Sequence, residues 1–270
     1  MSYQGPVIDV HTHVFWADGE RYPLPPGRPE GIDTQLRLAE EAGITISGVI
    51  VMAPKGDLDQ TRTLNDRVIE LQRTHASRLF AIGSVHPDDG SDALAELERI
   101  AVEGVRVLKL HPNTQAFDVA APEVAAVVSR AGELGLTVLF DAYSPFDANQ
   151  PGKFAMLAMA NPGTRLILAH MGGPKFHEMM IFNVLGLYPE YARNVWFDIS
   201  ATVTMFADGP YAPHLAWVAR KLGIDRILFG SDFPYASTPA EALIAIRSLG
   251  FDENEERQVL HDNASALLAV

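Results

Sequence analysis

The sequence predicts an α/β fold of the (β/α)8 TIM-barrel class, and three observations carry the prediction. Short apolar, β-branched runs recur at intervals of roughly thirty residues, eight in all. Amphipathic stretches with helical spacing lie between most neighbouring runs. The Gly-rich phosphate turn expected after the first strand of an open doubly wound sheet is missing. Alternating strands and helices demand parallel strands joined by right-handed crossovers, and eight such units close into a barrel.

The first run, Val7–Phe15 (VIDVHTHVF), is apolar except where His11 and His13 interrupt it. Side chains two apart on a strand share a face, so the two imidazoles project together and can begin a metal site. Asp9 falls on the same face one layer deeper, a candidate for holding a ligand in place. Residues 16–31 interleave Pro23, Pro25, Pro26 and Pro29 with Arg21, Tyr22 and Arg28, and predict an active-site loop folded over the strand end. Further strands are expected at Gly48–Met52, Leu79–Val85, Val105–Leu110, Leu136–Phe140, Arg165–Ala169, Val195–Ile199 and Arg226–Phe229. Helices are expected at Asp92–Val102 behind Ser91 as cap, and at Pro122–Leu134 and Pro239–Leu249, each with proline in its first turn. Asn254–Leu268 reads as a closing helix. No linker or charge block divides the chain, so residues 1–270 are expected to form one barrel domain.

Composition narrows the chemistry. An apolar fraction of 47% over 270 residues is ample for a core, and no apolar run is long enough to span a membrane. No basic segment followed by an apolar one precedes the first strand, and a cytoplasmic location is expected. Without cysteine, any metal must be held by His and carboxylate. The balance of 21 basic against 34 acidic residues, a net charge of −13, argues against nucleic acid or an anionic membrane as partner. A small-molecule substrate is the remaining expectation.

Active sites of barrels sit at the C-terminal ends of the strands. Those ends carry His11 and His13, His86, Lys109 and His111, Asp141, His170, Asp198 and Asp232, which puts five of the nine histidines on one rim. His75, His177, His214 and His261 fall on helices or beyond, where solvated or capping roles are expected. A metal held by two histidines and carboxylates, with an open position, lowers the pKa of its bound water to about 7 in the best zinc cases. Asp232 would sit beside that water and shuttle its proton, and His170 would hydrogen-bond the water or a developing oxyanion. Lys109 and His111 share a face of the fourth strand and are candidates for binding an anionic substrate group. The competing readings are a buried ion pair for Lys109 and a turn histidine before Pro112 for His111. His86, before Pro87, is expected to be structural, and Asp198 can be structural too. Trp16, Arg21, Tyr22, Tyr143, Phe233 and Tyr235 are placed to line a pocket, and Gly172-Gly173 is a weak anion-site signal.

Taken in order, IDVHTHVF, GVRVLKLHP, LILAHMGG, ILFGSDFPY and DNASALL resemble the amidohydrolase superfamily over nearly the whole chain. The closest likeness is to its amidohydrolase-2 branch, which includes aminocarboxymuconate semialdehyde decarboxylase and pyrone-dicarboxylate hydrolase relatives. The resemblance implies a distorted barrel with one divalent metal, zinc first and manganese as the alternative. Its ligands would be His11, His13, a fifth-strand residue and Asp232, with His170 orienting or deprotonating the metal-bound water. One departure stands out: LTVLFDAYSP places Asp141 where the family usually has a histidine. A carboxylate there keeps a site of harder character, and a metal-independent relative is the other outcome. The function expected is a metal-dependent hydrolase of a small carboxylated or cyclic substrate, a lactone, amide or pyrone. The alternative is a nonoxidative decarboxylase of an aromatic or unsaturated acid on the same site, and the third reading is a non-catalytic barrel. The substrate is expected to be anionic, and association into a homo-oligomer is open.

Overall fold

In the computed structural model, which describes residues 2–16 and 31–270, eight parallel strands follow one another in chain order round one sheet. They are β1 (Ile8–His13), β2 (Ile46–Ile50), β3 (Leu79–Ser84), β4 (Val107–Leu110), β5 (Thr137–Asp141), β6 (Arg165–Ala169), β7 (Val195–Asp198) and β8 (Ile227–Leu228). Backbone bonds join the last strand region to the first: Val10 N–H donates to Phe229 O at 3.0 Å and Asp232 N–H to His11 O at 2.8 Å. The expected barrel is therefore present. The loop expectation for Arg21, Tyr22, Arg28 and the four prolines falls outside the described residues.

Outside the strands lie α1 (Ile32–Ala42), α2 (Leu58–Thr74), α3 (Ser91–Val102), α4 (Pro112–Gln115), α5 (Pro122–Glu133) and α6 (Gln150–Ala160). After them come α7 (Met180–Leu185), α8 (Thr202–Phe206), α9 (Ala212–Leu222), α10 (Pro239–Ser248), α11 (Glu253–Arg257) and α12 (Asn263–Leu268). None is long and apolar enough to cross a membrane. Proline does open α5 and α10, and Thr238 and Glu241 add a capping box to the latter. Ser91 is the first helical residue of α3, not its cap; Gly90 holds the cap position with no side-chain bond. The closing helix runs from Glu253 to Leu268 but passes through a π-helical turn at Gln258–Asp262.

Strand alternation sorts side chains into two cores. Leu108, Val138, Phe140, Leu166, Leu168 and Phe197 face the helices, whereas Val107, Leu139, Ile167 and Leu228 fill the barrel interior. Leu267 and Leu268 of α12 join that interior cluster and plug its N-terminal end. The opposite end is left for polar side chains.

The first strand departs from strict alternation. Ile8 and Asp9 pair with Ile46 and Ser47, but Thr12 and His13 pair with Val49 and Ile50, so β1 carries one extra residue between Asp9 and Thr12. Such a bulge re-aims side chains next to active sites. It corrects the expectation that Asp9 shares the histidine face. Asp9 holds the chain from the side instead, accepting from His11 N–H at 3.1 Å and Ser231 N–H at 3.0 Å.

Candidate metal centre and active site

His11 and His13 come from β1, Lys109 from β4, Asp141 and Asp198 end β5 and β7, His170 follows β6 and Asp232 follows β8. The fold thus brings the expected set to one rim. His11 Nε2 and His13 Nε2 lie 3.2 Å apart, and Asp232 Oδ1 lies 3.5 and 3.3 Å from them. Donors bound at about 2.0–2.2 Å to one ion are separated by roughly 3.0–3.6 Å in octahedral or tetrahedral geometry, so these three atoms fit a single divalent cation. The donor chemistry fits as well. Burial pushes both imidazoles below their ordinary value, well below for His11, which leaves neutral rings with free lone pairs. Burial opposes ionisation of Asp232, but the His13 hydrogen bond and the charge of His170 outweigh it and hold the carboxyl at about 2.

The partner of His11 is Asp198, whose Oδ2 lies 2.6 Å from His11 Nδ1. Donation from Nδ1–H leaves Nε2 as the metal-binding atom and fixes the ring's orientation. Asp198, which the sequence left open as structural, thereby acts on the centre through His11.

Asp141 does not join the three-atom group. Its Oδ2 is 3.0 Å from His170 Nε2 and 3.4 Å from His111 Nε2, and its Oδ1 accepts from Tyr143 N–H at 3.2 Å. Burial pushes the Asp141 carboxyl up, yet His111 and His170 hold it well below the usual range. His170 responds in the opposite sense: burial would lower it, but the Asp141 charge and hydrogen bond raise it to about 9. The Asp141 carboxylate thus favours the protonated form of His170 at the cavity wall. His111 differs because Thr114 N–H donates to its Nδ1 at 3.3 Å, and burial lowers it to about 4, so it stays neutral.

Lys109 is fully buried, its Nζ 3.3 Å from His11 Nε2. Burial lowers its pKa, against the charges of Asp141, Asp232 and Asp198. His170 and Asp232 both have left-handed backbone, at φ 59 and 53. Non-glycine residues in that region cost of order 1–3 kcal/mol and persist where the surroundings over-determine them, commonly at functional sites.

A cavity of about 370 Å³ opens on this cluster, lined by His13, His111, Asp141, His170 and Asp232, with Met52, Thr114 and Tyr235 completing the wall. That volume suits a small ligand. Tyr235 stands edge-on to His13, with ring centroids 5.0 Å apart. Of the other expected pocket residues that are described, Trp16 packs on the outer core beneath Arg67, and Phe233 is buried and accepts from His13 N–H through its carbonyl. Gly173 turns against the Tyr143 ring. His86 serves the backbone, bonding Gln115 O at 2.7 Å and accepting from Asp88 N–H at 3.2 Å.

Four contributors were missed in the sequence. Met52 and Thr114 carry no charge to mark them. Ser200 lies two residues beyond Asp198, where period-two reasoning carried past the strand end would have found it. A fourth, Gln115, ties the rim together by accepting from His111 N–H and donating to Ala53 O and Val85 O.

Solved structures share this architecture. A 5-carboxyvanillate decarboxylase from Sphingomonas paucimobilis aligns with a TM-score of 0.71 at 17% identity, over 98% of this chain and 99% of its own. A 2,6-dihydroxybenzoate decarboxylase from Rhizobium aligns at 0.76 and 16%, over 100% and 99%. A dihydroxybenzoic acid decarboxylase from Polaromonas, solved with bound manganese and the inhibitor 2-nitroresorcinol, aligns at 0.73 and 18%, over 100% and 97%. A search of curated protein sequences gave no match. The amidohydrolase family model matches residues 8–270, so the chain belongs to the amidohydrolase-2 family, whose members act as enzymes.

Proposed function

We propose that this enzyme is a metal-dependent, nonoxidative decarboxylase of a small aromatic or unsaturated acid. The observation that supports the reaction most directly is the His170–Asp141 pair at the wall of the cavity, Nε2 to Oδ2 at 3.0 Å, a contact that favours a protonated His170. Loss of carbon dioxide leaves an electron pair on carbon, and that carbon then needs a proton. His170 Nε2–H supplies it; the carbon–carboxylate bond breaks, a carbon–hydrogen bond forms, and solvent returns the proton to the ring. A divalent ion on His11, His13 and Asp232 would supply positive charge against substrate oxygens. Asp141 keeps His170 charged and its Nε2 aimed, and is proposed as fourth ligand only if metal binding draws it from the imidazoles. Lys109 would supply positive charge towards an anionic substrate, and His111 a neutral hydrogen-bonding flank. The decarboxylase structures above support the reading, and the manganese in one of them makes manganese a candidate beside zinc.

Hydrolysis of a lactone, amide or pyrone is the second reading. It is favoured by one feature, the ionised Asp232 carboxylate between the two histidines, placed beside any water that a cation there would hold. A cytoplasmic setting, a single domain over 1–270 and freedom from nucleic-acid or membrane partners belong to the same proposal. The test is product analysis of zinc- and manganese-loaded protein on hydroxybenzoates and on lactones. Carbon dioxide release from an acid is expected. Ring opening without carbon dioxide would replace the proposal with the hydrolytic reading.

A further inference from the structure

The hydroxyl of Ser200 touches both halves of the centre. It is fully buried just beyond β7, with Oγ 2.8 Å from Asp198 Oδ2, 3.1 Å from His170 Nδ1 and 3.4 Å from His11 Nδ1. Counting protons orders these contacts. An ionised Asp198 only accepts, and His11 Nδ1–H already donates to it, so the single Ser200 O–H also goes to Asp198. The oxygen lone pairs are then left to accept from His170 Nδ1–H. The Ser200 carbonyl oxygen, 3.3 Å from the same nitrogen, is a second acceptor for that proton.

The backbone of His170 is gripped by the same turn. Its carbonyl accepts from the Thr202 hydroxyl, and Ala201 between the two gripping residues has φ 55. Ring and main chain of a left-handed residue are thus both held from the segment that follows the next strand.

We infer that Ser200 is a positioning residue: its hydroxyl holds the His170 ring by accepting from Nδ1–H, with Nε2 kept on Asp141 at the cavity wall, and couples that orientation to Asp198, which aims His11 at the metal. This rests on His170 being the proton donor proposed above. A purely structural role is separable, because Ser200 N–H donates to Asp198 Oδ1 at 2.8 Å and that bond survives in alanine. Ser200→Ala therefore removes the hydroxyl contacts and keeps the turn.

The test compares wild type, Ser200→Ala and Ser200→Thr as zinc-loaded full chains carrying ¹⁵N-labelled histidine. Nitrogen spectra, with His170 assigned through His170→Gln, are expected to show a hydrogen-bonded, slowly exchanging Nδ1–H in wild type and Ser200→Thr. In Ser200→Ala that signal should shift and exchange faster, because the Ser200 carbonyl at 3.3 Å is the acceptor that remains. On a substrate of the proposed class, Ser200→Ala should lower kcat about 10- to 100-fold at unchanged KM and zinc content, and Ser200→Thr should recover most of it. An unchanged His170 spectrum and kcat in Ser200→Ala would overturn the inference. Loss of zinc with an unchanged His170 spectrum would overturn it too, by assigning Ser200 to His11 alone. Should no acid be decarboxylated by wild type, the reaction proposed above fails, and the nitrogen spectra still decide the role of Ser200.

Discussion

Three imidazoles within one cluster end in different protonation states, and each follows from its surroundings. His11 and His13 are buried beside each other and near Lys109, so both are driven neutral. His170 is buried as well, yet Asp141 on its Nε2 reverses the sign and raises it from 6.5 to about 9. A proton held by the folded chain but not by the unfolded one stabilises the fold. For His170 that contribution is complete below about pH 6.5 and is lost as pH rises through about 9. Chelated, metal-free wild type should therefore lose more thermal stability between those limits than His170→Gln, by at most about 3 kcal/mol. Parallel stability–pH curves for the two proteins would contradict the assigned charge. The shared face of His11 and His13 was legible from backbone period, whereas Asp232, in left-handed backbone four residues beyond β8, was picked out through the GSDFP motif. The pairing of Asp141 with His170 was not legible, because it joins neighbouring strands through a geometry that spacing along either strand does not encode.

Strands and turns set how closely these groups approach. β2 begins at Ile46, two residues before the expected Gly48, because the glycine belongs inside the strand: a Cβ there would meet Phe80 and Ile82 at 2.6 and 2.7 Å. Reading glycine as a strand boundary misplaced it. The same close approach matters at Gly230, where a Cβ would lie 2.5 Å from Asp198 Oδ1 and 2.8 Å from His11 Cβ. Both neighbours are fully buried and cannot step aside. Gly230→Ala should destabilise the fold by about 1–3 kcal/mol through overpacking and weaken metal binding by displacing His11. Denaturant unfolding and metal titration of this variant check the two effects. Unaltered metal affinity would show that the Asp198–His11 pair tolerates the shift. The bulge in β1 is a further element-scale feature hidden from the sequence, since the extra residue is defined only by what β2 places opposite it.

At the scale of the molecule, the barrel separates stability from chemistry. Leu267 and Leu268 close one end with apolar volume, while the other end gathers buried His, Asp and Lys that would be costly without mutual pairing or a cation. The repeat of strand and helix made this architecture readable from the sequence, and the order of motifs made the family readable. The net charge of −13 says nothing about the centre, where three carboxylates face Lys109, His170 and the proposed metal. On the proposed reading, His11, His13 and Asp232 hold one divalent ion on which turnover depends. Calorimetric titration of zinc or manganese into chelated protein tests it most directly, with Asp232→Asn as the comparison. About one ion per chain is expected for wild type, with activity returning in step with occupancy, and both should be strongly reduced in Asp232→Asn. Full turnover by the chelated protein, or equal metal binding by Asp232→Asn, would contradict the account.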